Sequence, residues 1–111
     1  MGYNSVVEGS AVLYKELHEG NGRTIKVDDK AIVNYEMRNA ADSTLIDEGK
    51  EIELSPISVI SGLKNAMIHM KVGSTWSIYI PNEMTFGGRE TGDIKPYTNL
   101  LMTVTIKSLK K

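Results

Sequence analysis

Val59-Ile60-Ser61-Gly62-Leu63-Lys64-Asn65-Ala66-Met67-Ile68-His69-Met70-Lys71-Val72-Gly73 is the stretch on which the fold turns. Val59, Leu63, Ala66, Met67 and Met70 recur there at spacings of three and four, which puts them on one face of a short helix over residues 59–70. Ser58 or Ser61 offers a capping oxygen at its start. Val72-Gly73 ends it, and the glycine suits a left-handed residue after the last turn.

Outward from this helix the period drops to two. On the N-terminal side, Ala31, Val33, Tyr35 and Met37 alternate with Ile32, Asn34 and Glu36, the pattern of a strand with one buried face. Further strands are expected at residues 11–17, 44–47 and 50–54, the last two separated by a turn at Glu48-Gly49. Glu19-Gly20-Asn21-Gly22 and Asp28-Asp29-Lys30 read as turns, and residues 38–43 as a hairpin connection. On the C-terminal side, Trp76, Ile78 and Ile80 share a face of a strand at 75–80. Leu100, Met102, Val104 and Ile106 do so at 99–109. Residues 83–97 have no period, and a loop of that length in a small domain is more often functional than idle. Residues 1–10 are polar and glycine-punctuated, and are expected to form a flexible arm before a single domain over 11–111. Strands, one helix, then strands again predict an α+β domain, with an antiparallel sheet and the helix on one face.

Composition bounds the chemistry. With 111 residues, one core is the default, and 41% hydrophobic residues suffice to fill it. Thirteen basic against fourteen acidic residues leave a net charge of -1, which argues against a protein built to grip nucleic acid or anionic lipid. The absence of cysteine removes disulfides, thiol chemistry and cysteine-ligated metals. No apolar run approaches the roughly 20 residues that cross a bilayer, so no membrane insertion is expected. Met1-Gly2-Tyr3-Asn4 lacks the charged-then-apolar pattern of a signal peptide, and a soluble protein of cytoplasm or periplasm is expected. No apolar stripe is left over for a partner copy, so a monomer is expected.

Side chains of acid–base, nucleophilic or metal chemistry fall into no constellation. His18 stands beside Glu16 at a polar strand end and His69 lies on the helix, without triad or ligand spacing. Gly87-Gly88-Arg89-Glu90-Thr91-Gly92 lacks the Gly-Lys-Ser/Thr ending of a phosphate loop and reads as a loop tip. Asp47 and Glu48 adjoin, so only one faces a given pocket. Trp76 and the methionines Met67, Met70 and Met102 read first as core, with an adaptable apolar pocket as the sharper alternative. No cofactor and no metal are expected.

Val33-Asn34-Tyr35, Leu45-Ile46-Asp47, Val59-Ile60-Ser61-Gly62-Leu63, Met70-Lys71-Val72-Gly73, Ile80-Pro81, Thr85-Phe86-Gly87, Ile94-Lys95-Pro96 and Leu100-Leu101-Met102 follow one another in an order that resembles the FKBP-type peptidyl-prolyl cis-trans isomerases. The resemblance covers roughly residues 11–109. It implies a five- to six-stranded antiparallel sheet wrapped around one short helix, with a proline pocket between them. By position it implies Tyr35 as a pocket wall, Asp47 as the carboxylate that fixes that wall, and the Ile60 N–H as donor to a substrate carbonyl. Phe86 falls where the family has a loop tyrosine. Ile46, Val59, Leu63, Ile94 and Met102 would line the pocket, and Trp76, on an apolar strand face, is counted among the pocket residues with them.

The departures reshape that pocket. Leu63 replaces a tryptophan floor, Ile46 and Met102 replace phenylalanines, and Phe86 has no hydroxyl. Lys50 falls at a further aromatic position, and the segment after Asp47 is short. The resemblance implies isomerisation of Xaa-Pro bonds in polypeptide clients, with low turnover, and macrolides of the rapamycin type as ligands. A noncatalytic FKBP-like module that binds polypeptide, as a chaperone or interaction domain, is the alternative.

Overall fold

Alternating apolar residues along the chain become strands because each can pair with a neighbour that buries the same face. The computed structural model describes residues 3–5, 12–82 and 97–110. Its strands are β1 (Asn4–Ser5), β2 (Leu13–His18), β3 (Lys30–Asn39), β4 (Leu45–Leu54), β5 (Thr75–Ile80) and β6 (Leu100–Lys110). They form one antiparallel sheet in the order β1-β2-β5-β6-β3-β4. The last strand, β6, lies at the centre, between β5 and β3, and its Leu100, Met102, Val104 and Ile106 are buried in register with theirs. Met102 faces both Met37 and Ile78, and Val104 faces both Tyr35 and Trp76.

Among the described residues one α-helix, α1 (Ser61–Met67), covers this face with Leu63, Ala66 and Met67. A large apolar side chain fully buried in this way contributes about 1.5–3 kcal/mol. The helix is shorter than its periodicity predicts. Val59 and Met70 stay on the apolar side but lie outside it, and Ser58 does not cap it: Ile60 is the N-cap, without a side-chain hydrogen bond. Ser58 instead closes a 3-10 turn, Pro56–Ser58, through its hydroxyl bond to the Ser55 carbonyl at 2.9 Å. Proline at the first position of that turn needs no partner for the N–H it lacks. Gly73 does take the left-handed conformation, at φ 92°, yet not as the helix C-cap. It sits in the tight turn that feeds β5, where the Ser74 N–H meets the Lys71 carbonyl at 3.0 Å.

The largest departure from local reading is at Glu48-Gly49. No turn forms there; β4 runs unbroken from Leu45 to Leu54 against β3. Val33 faces Ile52 and Tyr35 faces Gly49, so Asn34 alone stands opposite both Lys50 and Glu51. The extra residue is a β-bulge, with Glu51 at φ 52°. Polar, glycine-bearing sequence reads locally as a turn, but the hydrogen bonds offered by β3 hold it extended. The polar stretch after β3 does form the predicted hairpin connection, with Asn39 N–H bonded to the Thr44 carbonyl at 2.9 Å. Within the segment expected to be a loose arm, Asn4–Ser5 pair with Leu13–Tyr14 as an edge of the sheet.

Candidate functional site

Where α1 and the preceding 3-10 turn approach the sheet, they leave a gap. Tyr35 and Met37 of β3, Leu54 at the end of β4, Ser58, Val59 and Ile60 of the connection, Leu63 of α1 and Met102 of β6 enclose a cavity of about 310 Å³. Every wall but the Tyr35 and Ser58 hydroxyls and the connecting backbone is hydrocarbon or thioether. The strand period places Tyr35 and Met37 on one face, and the helix turns Leu63 toward them.

Two polar features border this apolar space. The Tyr35 hydroxyl donates to Asp47 Oδ2 at 2.8 Å, and Asp47 Oδ1 accepts the Glu48 N–H at 2.8 Å. Partial burial first, and then the hydrogen bond to Asp47, raise the Tyr35 phenol above its ordinary value. The carboxylate thus orients the ring while staying outside the cavity lining, exposed to solvent. The second feature is the backbone at Ile60. Its carbonyl accepts the Lys64 N–H at 3.0 Å, whereas its own N–H is bonded to no acceptor among the described residues. A donor in that state at the mouth of an apolar cavity is suited to a ligand carbonyl.

Of the residues singled out in the sequence, Tyr35, Val59, Ile60, Leu63 and Met102 come together around the cavity, and Asp47 joins them through Tyr35. Ile46 is half-buried and packs against the core without lining the cavity. Trp76 is placed elsewhere. It lies one row beyond Met102, opposite Val104, where it stacks on Tyr14 at 4.1 Å between ring centroids and donates its indole N–H to Glu16 at 3.3 Å. Phe86 and Ile94, and with them the loop at 83–96, lie outside the described residues. Lys50 contributes nothing to the cavity. The bulge turns it to the opposite side of the sheet, where with Asn34, Glu48, Thr103 and Thr105 it borders a second hollow of about 200 Å³ that also touches Tyr35.

Met37, Leu54 and Ser58 were not singled out as site residues. Met37 was legible, because it shares the alternating face of Tyr35. Leu54 and Ser58 carry no local signal. His69 is exposed, with Nδ1 2.9 Å from the Asn65 carbonyl oxygen, and takes no part in the site. Among the described residues no group of three or more His, Asp or Glu is placed to hold a metal ion. No helix among them is long and apolar enough to cross a membrane.

An apolar cavity with a hydrogen-bond donor at its edge has the chemistry to hold a small apolar ring next to a carbonyl. Comparison with known proteins points the same way. The sequence profile described as FKBP-type peptidyl-prolyl cis-trans isomerase matches residues 21–107. The chain is 34% identical over 103 residues to the peptidyl-prolyl cis-trans isomerase Mip of Coxiella burnetii, covering 88% of this chain and 44% of that protein. It is 30% identical over 110 residues to the FKBP-type 22 kDa peptidyl-prolyl cis-trans isomerase of Escherichia coli, covering 95% of this chain and 52% of that one. The chain therefore spans about half the length of the curated relatives it matches. Among solved structures, a peptidyl-prolyl cis-trans isomerase from Pseudomonas syringae superimposes with a TM-score of 0.89 at 27% identity, over 99% of this chain and 82% of that one.

Proposed function

The chain belongs to the FKBP-type peptidyl-prolyl cis-trans isomerase family, and from that premise we propose that it isomerises Xaa-Pro bonds of polypeptides in the cavity between α1 and the sheet. The observation that carries this reading is the conjunction at one apolar cavity of the Asp47-oriented Tyr35 ring and the Ile60 N–H, which meets no acceptor among the described residues.

Rotation about an imide meets a barrier of about 18–20 kcal/mol, while the cis and trans forms before proline differ by only about 0.5–1 kcal/mol. The reaction makes and breaks no covalent bond, so the site needs to favour only the twisted state, in which amide resonance is lost. The carbonyl is then less polarised, and an apolar cavity holds it better than water does. The prolyl ring sits against Tyr35, Met37, Leu63 and Met102, and the Ile60 N–H anchors a neighbouring carbonyl so that rotation is confined to the imide. Phe86 and Ile94 are proposed to close over the ring from the loop. The domain is proposed to work as a single copy.

Turnover is proposed to be low. Leu63 and Met102 replace aromatic faces that are worth about 0.5–1.5 kcal/mol each beyond their area. Two such losses amount to about 1–3 kcal/mol, or about one to two orders of magnitude in affinity for a prolyl peptide. Macrolides of the rapamycin type are proposed to enter the same cavity, weakened for the same reason.

The test is exchange spectroscopy on a short Xaa-Pro peptide. The wild-type protein is expected to accelerate interconversion, and Asp47→Leu to do so less, because Tyr35 loses its acceptor. Should the wild-type protein at high concentration leave the uncatalysed rate unchanged while peptide resonances still shift on binding, the site is a noncatalytic prolyl-peptide receptor.

A further inference from the structure

Gly49 has no conformational reason to be glycine. Its φ is not positive, so an alanine there would meet no backbone strain. What excludes a side chain is the tyrosine across the strand pair, together with Ile52 of the same strand. A Cβ at position 49 would stand 2.7 Å from Tyr35 Cε1 and 2.7 Å from Ile52 Cγ1, closer than real Cβ contacts come. Tyr35 and Gly49 are register partners. The Tyr35 ring thus occupies the volume in which a side chain of its partner would lie.

That register is itself held by the bulge. Two residues, Lys50 and Glu51, face one, Asn34. Glu51 takes a left-handed conformation at φ 52°, and its N–H is satisfied by Asn34 Oδ1 at 2.8 Å. A strand slipped by this one residue would present Glu48 or Lys50 to the Tyr35 ring instead of glycine. Asn34 therefore stabilises the bulge, the bulge sets Gly49 beside Tyr35, and the space at Gly49 lets the ring lie where it both walls the cavity and reaches Asp47.

We propose that Gly49 and Asn34 are positioning residues of the prolyl site, Gly49 by leaving room for the Tyr35 ring and Asn34 by fixing the bulge that brings Gly49 beside it. The inference rests on the isomerase reading for its effect on rate, but its geometric content stands on Tyr35 alone. Neither residue touches the bound peptide.

The decisive experiment uses two readouts on Gly49→Ala. The first is the titration of the Tyr35 phenol, followed by carbon NMR of ring-labelled tyrosine and assigned with Tyr35→Phe. In the wild type, partial burial and the Asp47 partner raise this phenol above its ordinary value. In Gly49→Ala the displaced ring is expected to titrate closer to the ordinary value. The second is kcat/KM on an Xaa-Pro peptide, expected to fall about tenfold in Gly49→Ala but by less than about twofold when the same change is added to Tyr35→Ala, because the ring it displaces is already gone. The double variant is also expected to melt above Gly49→Ala. Asn34→Asp, which keeps the accepting oxygen, is expected to retain more activity than Asn34→Ala.

An unchanged phenol titration in a folded Gly49→Ala, or an equal loss of activity with and without the Tyr35 ring, overturns the inference and leaves the isomerase reading intact. A wild-type protein without isomerase activity overturns that reading instead, and the phenol titration still decides this one. If Gly49→Ala and the double variant both fail to fold, Tyr35 is not what excludes the side chain and the inference is wrong.

Discussion

Truncating Leu63 to alanine separates the cavity as a site from the cavity as a packing defect. Leu63 is 3% exposed and lines both the core and the cavity. Removing its isopropyl group from a closed core costs about 2–5 kcal/mol, part of it for the void left behind. Here the void opens into an existing space that admits solvent or ligand, so the cost should fall near the lower end, about 2 kcal/mol. For a domain of this size that lowers the melting temperature by about 8 °C.

If the prolyl ring rests on Leu63, about half of the lost apolar surface is also lost to the bound peptide. That corresponds to about 1 kcal/mol of transition-state binding, or about a fivefold fall in kcat/KM. Ile25 is the control. It is buried to 2% exposure, its N–H bonds to the Met70 carbonyl at 2.9 Å, and it lies outside the cavity lining. Ile25→Ala should destabilise at least as much as Leu63→Ala while leaving kcat/KM within about twofold at temperatures where both variants are folded. The assay is exchange spectroscopy for rate and thermal unfolding by circular dichroism for stability. Equal kcat/KM for the two variants would show that the ring does not sit on Leu63 and would refute the placement of the substrate.

Tyr35→Phe removes one hydroxyl donor and keeps the ring; it should cost about 0.5–1.5 kcal/mol in denaturant unfolding, and a larger loss would mean that the ring, not only the bond, has moved. The raised Tyr35 phenol favours the neutral form, so its contribution to stability is complete below the ordinary tyrosine value of 10.0 and is lost as pH climbs through the folded value. A pH series of kcat/KM should accordingly be level through neutrality and fall only in the alkaline range; a bell centred near neutral pH would point to acid–base chemistry instead. The Asp29 carboxyl is held at about 2 by hydrogen bonds from Arg23 and then from the Lys26 N–H. Its folded value lies below the ordinary 3.8, so its stabilisation is present above 3.8 and fades as pH falls toward 2, and Asp29→Asn should flatten the acid limb of unfolding in that window. Trp76 stacks on Tyr14 away from the cavity, so peptide binding should leave tryptophan emission nearly unchanged; a strong quench would place the ligand against it.

Strands β3, β5 and β6 and the helix α1 were written in the sequence, because a side chain's face along a strand or helix depends only on its neighbours a few residues away. The same periodicity singled out Tyr35, Val59, Leu63 and Met102, and the order of short motifs added Asp47 and Ile60. Local sequence misled where a distant partner decided the outcome. Glu48-Gly49 has the composition of a turn, yet β3 supplies the hydrogen bonds that keep β4 extended, and one extra residue is absorbed as a bulge at Glu51. That bulge sends Lys50 to the far side of the sheet and leaves Leu54 and Ser58 at the cavity. Trp76 has the alternation of a pocket residue and shares a row with Tyr35, but it stands on β5, across Val104 of β6, and so on the far side of that row from the cavity. The chain by itself determined which residues turn inward, since that follows from local period. Which of those inward residues meet around an open space, rather than pack against one another, was decided by pairing between strands far apart in sequence, and only the tertiary structure contains it.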